Sequence, residues 1–379
     1  MPSMLRILTV ISFAAVLLVA AAPAAQAAPR KVPRGFHGVM LDRAATRASA
    51  AENEQQWALM AQSGVESVRT VVSWARAQPQ EGIAPDLTET DELVALAARH
   101  SIRLLPIVLY TPDWAAKRPV QGAPPAHIGA YAAFLRSLVL RYGPTGSFWA
   151  EHPELPRRPV REWQIWNEPH LDFYWNSKGN SWARGYAPLL RASKRAIESV
   201  DRRATIVLAA MADFAWRHLD RLNRHRVRRH FDVAALNFFT SRPKNVMKAV
   251  RYVRRALARG RERRKPIWIT ETTWPAARDR VPAPRAAWQR AWYTTDEGMA
   301  SKLSGVYSLA ARNRRKFRLG RVYWYTWASS YGDGDLFDYS GLNRYAGGVF
   351  EPRLALQAYT ASAQRLQGCV KTPEGACSG

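Results

Sequence analysis

Two glutamates stand out by what precedes them. Glu168 closes the stretch Trp163-Gln164-Ile165-Trp166-Asn167-Glu168, with Pro169 and His170 behind it. Glu271 closes Pro266-Ile267-Trp268-Ile269-Thr270-Glu271. Short runs rich in β-branched and aromatic residues read as buried strands. An acid at the exit of such a strand is a loop residue, a first-turn acid of a following helix, a role that Pro169 after Glu168 suits, or a group aimed into a pocket. Two such acids facing one another suit a particular chemistry. Across a glycosidic bond, one carboxyl kept protonated gives its proton to the leaving oxygen. The other attacks the anomeric carbon or activates a water. Direct attack needs the two groups ~5–5.5 Å apart, and the water route ~6.5–9.5 Å.

The elements around these residues give them a common place. Eight apolar runs occur, at 36–42, 67–74, 103–110, 161–166, 205–211, 233–239, 266–270 and 322–327. Helical patterns separate them at 48–63, 91–100, 131–142, 186–200, 246–257 and 288–311, and one more follows at 354–366. In the third, Tyr131, Phe134, Leu135, Leu138 and Val139 recur at helical spacing. Near-continuous apolar strands alternating with helices predict a parallel sheet covered by helices. Eight such units predict a single-domain α/β fold, the (β/α)8 barrel. An open doubly wound sheet would carry a Gly-rich turn after its first strand, where this chain has Asp42-Arg43-Ala44. Functional groups of a barrel sit at the C-terminal ends of its strands. Glu168 on strand 4 and Glu271 on strand 7 then share one mouth.

With that context the chain resembles the clan of retaining (β/α)8-barrel glycoside hydrolases, whose acid/base and nucleophile are glutamates ending strands 4 and 7. Asn167-Glu168-Pro169 is similar to the clan's strand-4 motif, in which the Asn contacts the sugar 2-hydroxyl, and Ile269-Thr270-Glu271 to its strand-7 motif. Val68-Arg69, with Trp74 beyond it, resembles strand 2, whose Arg hydrogen-bonds the nucleophile. Gln78-Pro79 and Thr111-Pro112-Asp113-Trp114 resemble β-xylosidase-like and cellulase-like members. Tyr325-Thr326-Trp327 falls where the clan places a sugar-stacking Trp. The resemblance implies Glu168 as acid/base, Glu271 as nucleophile, a carbohydrate substrate, and neither metal nor organic cofactor. One departure stands out. Many members carry a His and a Tyr on strand 6, where this chain has Leu236-Asn237-Phe238-Phe239-Thr240. Asn237 can take over a polar contact; Phe239 has no hydrogen bond to give.

Arg69, if it reaches Glu271, favours the charged form of that group and leaves Glu168 as the protonated acid. Glu66 or Asp42 are its structural alternatives. Sugar rings stack on aromatic planes, and Trp74, Trp114, Trp274 and Trp327 all follow strand ends, so each is a candidate platform; core packing is the alternative for any Trp. Trp324 and Trp327 differ by an odd number, so strand alternation sends them to opposite faces, and Trp327 is the expected lining residue. His170 is a candidate substrate contact or a surface residue.

The chain has 379 residues. Residues 1–27 read as a secretory signal peptide. One Arg precedes an apolar run too short for a membrane span of ~20 residues, and Ala25-Gln26-Ala27 gives the cleavage pattern. An uncleaved anchor is the alternative; otherwise the mature protein is expected to be exported, with no membrane span. The barrel is expected over 28–366 and a tail over 367–379. That tail holds both cysteines, Cys369 and Cys377, which can pair outside the cytoplasm. Lys and Arg number 56 against 30 Asp and Glu, a net charge of +26. The basic runs Arg217–His230, Arg251–Lys265 and Arg312–Arg321 precede strands, so they are expected on the barrel face opposite the active site. They suit an anionic cell-wall polymer or acidic polysaccharide, or simply a solvated surface. No nucleic-acid-binding motif accompanies them.

Overall fold

The computed structural model describes residues 28–42, 45–46, 48–176, 181–332 and 335–378. The expected signal segment lies outside them. Eight parallel strands form the barrel: β1 His37–Leu41, β2 Ser67–Ser73, β3 Arg103–Leu109, β4 Glu162–Ile165, β5 Thr205–Val207, β6 Ala234–Asn237, β7 Ile267–Thr272 and β8 Leu319–Trp324. Their order, β5-β4-β3-β2-β1-β8-β7-β6, leaves one seam between β5 and β6. Isolated parallel bridges Val207↔Val233 and Met211↔Leu236 close that seam. The fifth strand is therefore shorter than the apolar run at 205–211. Beyond Val207 the chain pairs residue by residue, with Asn167 on one side and Leu236 on the other.

The helices are α1 Ala50–Gln62, α2 Trp74–Ala77, α3 Thr88–Arg99, α4 Ile128–Tyr142, α5 Phe148–Glu151, α6 Trp182–Glu198, α7 Ala215–Asn223, α8 Pro243–Arg259, α9 Ala287–Trp292, α10 Asp296–Phe317 and α11 Leu354–Gln367. The pattern at 288–311 breaks into two. Thr295 is extended and caps α10, its hydroxyl accepting from the Gly298 N–H, which starts a new helix where a Ser or Thr side chain can satisfy a free backbone donor. After β8 a small sheet forms from β9 Ala328–Ser329, β10 Asn343–Ala346 and β11 Val349–Pro352. Cys369 and Cys377 form a disulfide across the hairpin of β12 Val370–Lys371 and β13 Cys377–Ser378. The tail is tied to the strand-entry end, where His100 Nδ1 lies 2.9 Å from the Pro373 carbonyl.

Inside the barrel, paired polar groups sit beside a small apolar cluster that includes Leu105, Val207, Val233, Ala235 and Trp268. Near the floor Arg321 grips Glu162 with both arms of its guanidinium, and lies 4.1 Å above the Trp268 ring. Ser67 Oγ and Tyr323 OH are hydrogen-bonded at 2.7 Å. Gly38 leaves room for that tyrosine, since a Cβ there would sit 2.5 Å from its ring. One layer higher, Gln164 donates to the Leu208 carbonyl and accepts from Arg69. Buried charges are stable only when paired and hydrogen-bonded, and these are both. Among the described residues no helix is long and apolar enough to cross a membrane.

Candidate active site

Arg69 points inward from β2 and is fully buried. Its Nη1 donates to Glu271 Oε1 at 2.5 Å, its Nη2 to Asn167 Oδ1 at 2.9 Å and its Nε to Gln164 Oε1 at 2.7 Å. One guanidinium thus ties β2 to the ends of β4 and β7. The sequence alternatives for its partner are taken elsewhere: Glu66 pairs with Arg30 at 2.5 Å, and Asp42 accepts from Tyr325 OH at 2.8 Å. Asn167 keeps its amide N–H2 free of hydrogen bonds among the described residues, as a group that contacts a sugar hydroxyl requires.

Glu168 is held from the other side. Thr270 Oγ1 donates to Asn237 Oδ1 at 2.8 Å, which turns the Asn237 amide nitrogen toward Glu168 Oε1, also at 2.8 Å. Asn237 stands opposite Glu271 in the β6–β7 register. Glu168 begins no helix: its N–H donates to the Ala210 carbonyl, and a turn follows in which Leu171 N–H donates back to the Glu168 carbonyl. The backbone around it is unusual. Tyr110, Trp166, Glu168 and Asp213, beyond the exits of β3, β4 and β5, have φ of 64°, 69°, 40° and 47°. Side-chain-bearing residues rarely adopt such conformations, and strain of this kind gathers at functional sites.

Both glutamates are nearly enclosed, Glu168 7% and Glu271 8% exposed. Burial pushes the Glu168 carboxyl up to about 8, and the negative charge of Glu271 adds to it; the Asn237 hydrogen bond and Arg69 pull the other way. Burial also raises Glu271, opposed first by the charge of Arg69 and then by its hydrogen bond. The ion pair with Arg69 belongs to Glu271, so Glu271 is the member that gives up its proton first. The pair is set as one acid and one carboxylate.

The aromatic candidates divide. Trp114 is half-buried, its indole N–H bonded to the Gln78 carbonyl at 2.9 Å, so part of its ring remains open. Trp74, Trp274 and Trp327 are completely buried and offer no face to a sugar. Trp74 begins α2, which swings its ring onto Phe134 of α4, 5.9 Å away and nearly parallel. Trp274 packs on Trp324 at 6.1 Å. Trp324 alternates with Tyr323, which fills the barrel, so both indoles belong to the layer between barrel and helices. The chain leaves β8 after Trp324, and alternation does not extend to Trp327. His170 packs against His218, ring centroids 4.1 Å apart. Burial, then the neighbouring His218, lowers it to about 3, and neither ring nitrogen has a hydrogen-bond partner among the described residues.

Other residues reach the carboxylates instead. The charges of Glu271 and Glu168 add to burial in raising the Tyr174 phenol, and Asp42 is near enough to raise Glu271. Tyr325 OH donates to Asp42 Oδ2 at 2.8 Å. Phe239 packs against Trp292, Phe337 and Tyr325 with centroids 5.4, 5.0 and 6.3 Å away, so the strand-6 position joins an apolar wall. Tyr325 lies in the strand-8 motif itself, two residues before the Trp327 that alternation favoured. Tyr174 follows Glu168 by a turn and carries no sequence signal of its own. Among the described residues no cluster of three or more His, Cys, Asp or Glu is placed to hold a metal.

No family model matches the sequence, and no curated protein matches it. Solved structures do match in shape. A family 39 glycoside hydrolase from the gut symbiont Bacteroides cellulosilyticus WH2 aligns with a TM-score of 0.68 at 18% identity, covering 89% of this chain and 64% of that one. This chain thus spans less than two thirds of that relative. A monomeric β-xylosidase from Caulobacter crescentus CB15 aligns at 0.62 and 17% identity, over 89% of this chain and 69% of its own. The family 53 catalytic domain of Ignisphaera aggregans aligns at 0.57 and 20%, over 86% and 96%.

The chain has the (β/α)8 fold of these glycosidases. Identity at this level speaks for the fold; the chemistry rests on the two carboxyls and Arg69.

Proposed function

We propose that this protein is a retaining glycoside hydrolase acting on a β-linked oligo- or polysaccharide. The observation that carries the reading is the divided pair at the mouth: Glu271 ion-paired to buried Arg69, and Glu168 raised to about 8. In the first step a Glu271 oxygen attacks the anomeric carbon. The glycosidic C–O bond breaks, and Glu168 gives its proton to the leaving oxygen. Glu271 is then a neutral ester, so its charge no longer raises Glu168, which falls toward the ordinary carboxylate range. That suits the second step. Glu168 takes a proton from water, the water oxygen attacks the anomeric carbon, and the ester bond to Glu271 breaks. The unbonded Asn167 amide N–H2 supports a role as donor to the sugar 2-hydroxyl. A β-xylosidase, fungal β-1,4-galactanases and an exo-β-1,4-mannosidase share the fold, which supports a β-linked substrate.

The test is trapping with aryl 2-deoxy-2-fluoro-β-glycosides of xylose, galactose and mannose. Time-dependent inactivation with an adduct on the peptide bearing Glu271 is the expected result. No adduct, and no turnover across a glycan panel, would overturn it in favour of a silent carbohydrate-binding barrel, the reading that Phe239 in the strand-6 position favours. The N-terminal pattern supports export to the exterior, checked by the mass of protein recovered from culture medium, expected to begin near Ala28.

A further inference from the structure

The barrel face opposite the site, where the strands begin, carries a separate feature. Three cavities open there, each at the entry to different strands. One of about 500 Å³, before β6 and β7, is lined by Arg228, Arg229, Arg261, Arg263, Arg264 and Lys265, with Glu262 and Ala258. Another of about 270 Å³, before β3 and β4, is lined by Arg103, Arg157, Arg158 and Arg161 together with Glu162 and apolar residues. The third, of about 440 Å³, lies beside the entries to β1 and β8, where Lys31, Arg312, Arg314 and Arg315 gather beside Arg30, itself paired with Glu66.

Four of the acids at this end are already engaged. Glu262 pairs with Lys265, Glu162 with Arg321, Glu66 with Arg30 and Asp201 with Arg161. By contrast Arg228, Arg229, Arg261, Arg263 and Arg264 are exposed and make no ion pair among the described residues. Like charges crowd: burial first, then the charges of Arg103 and Arg34, hold the Arg158 guanidinium below its ordinary value. Uncompensated guanidiniums converging on a hollow raise the folded state's free energy unless an anion answers them.

We infer that this face docks a water-soluble polyol-phosphate polymer, its units joined by phosphodiester groups and carrying no bases, separately from the cleft. The convergence favours phosphate. A carboxylate presents its two oxygens in one plane, which a single guanidinium fork saturates, whereas the two non-bridging oxygens of a phosphodiester stand on a tetrahedral phosphorus and accept donors from outside that plane. The exposed large aromatic side chains among the described residues, Phe173, Phe214 and Trp288, lie in segments following β4, β5 and β7, on the mouth side. The strand-entry face therefore lacks the stacking platforms that bind unpaired bases. Among the described residues the large apolar side chains exposed toward this end are Leu140, in the last turn of α4, and Val370 of the tail, two isolated positions that form no patch to enter a lipid surface.

The test measures binding of the whole exported chain to poly(glycerol phosphate) over a series of NaCl concentrations, with polygalacturonate, duplex DNA and neutral xylan as parallel arms. The variant Arg229→Glu/Arg263→Glu/Arg264→Glu is set against Arg242→Glu/Lys244→Glu/Lys248→Glu. The second triple has the same change in charge, at exposed positions around the start of α8 on the mouth side. The first triple is expected to weaken binding about tenfold or more and to lower the salt slope by roughly two to three. The second should change affinity by about twofold or less, by the same criterion of lost phosphate contacts. Glu168→Gln should bind as the wild type does. An equal loss in both triples, tighter binding to DNA or polygalacturonate, or no salt-sensitive binding by the wild type would overturn the inference. Should the first triple lower Tm, the Arg→Gln triple at the same positions makes the same comparison without introducing acids.

Discussion

At the scale of single residues, Asn237 and Arg69 divide the labour between two otherwise similar glutamates. Asn237 hydrogen-bonds Glu168 and favours its charged form, against burial and the Glu271 charge. Asn237→Ala should therefore raise the Glu168 pKa further. The alkaline limb of kcat/KM, set by loss of the Glu168 proton near 8, should move to higher pH, while Thr270→Val, which frees the amide to turn, should move it the same way by less. An unmoved limb in both would remove Glu168 from the acid role. Stability carries the same signature. With a folded pKa near 8 against an ordinary 4.5, the unfolded chain releases this proton first as pH rises. The contribution is complete below about 4.5 and is lost progressively up to about 8. Glu168→Gln, which has no proton to lose and keeps the Asn237 contact, should then raise Tm by several degrees at pH 8. It should leave Tm unchanged near pH 4 and lower kcat by about 10²–10⁴. Calorimetry at the two pH values tests the first part, and aryl glycoside kinetics the second.

At the scale of elements, the strand exits decide which aromatics can meet a ligand. Trp74 and Trp114 both looked like sugar platforms from position alone. The turn into α2 places Trp74 against Phe134 and Tyr131 of α4, while Trp114, in a short 3-10 turn after β3, keeps part of its ring open. Trp74→Ala should cost about 3–5 kcal/mol of stability, the range for emptying a large aromatic from a core, seen as an early urea midpoint. Trp114→Ala should leave the midpoint nearly unchanged and raise KM. The reverse pattern would exchange their roles. The eight strands and most helices were legible because hydrophobic periodicity is local. The break at Tyr293–Thr295 was not, because a capping Thr within an amphipathic stretch looks like any other polar position until the chain is seen to turn there.

At the scale of the whole molecule, the barrel is joined through its interior by charge. Arg321 and Glu162 span the floor from β8 to β4, and Arg69 and Glu271 span the mouth from β2 to β7. Arg321→Met leaves Glu162 buried without a partner and should destabilise by about 3–5 kcal/mol. Adding Glu162→Leu should recover most of that loss, because a buried ion pair exchanged for apolar side chains of similar volume is often near neutral. Equal denaturation midpoints for the single and double variants would show that the pair is not what holds the floor. The excess of positive charge also acquires a location at this scale. Unpaired arginines gather where strands begin, because the basic runs follow helices and precede strands, and every helix-to-strand connection of a barrel lies on that face.

The sequence by itself determined the barrel and the pair of glutamates at its mouth. Repeated apolar runs can be covered only by the helices that separate them, and Glu168 and Glu271 end the fourth and seventh of those runs, one register on one face. The resemblance of the strand-2 and strand-4 motifs implied Asn167 and Arg69 as neighbours of that pair, with Glu66 and Asp42 left as alternatives for Arg69. The tertiary structure alone decided the rest. Whether Arg69 meets Glu271 or Glu66, whether Trp327 or Tyr325 approaches the cleft, and whether His170 faces a ligand or another histidine depend on side-chain directions after the chain leaves its strands. There the period-two rule no longer applies. The raised pKa of Glu168 belongs to the same class of facts. It arises from burial and from a charge that the sequence sets 103 residues away and folding brings alongside.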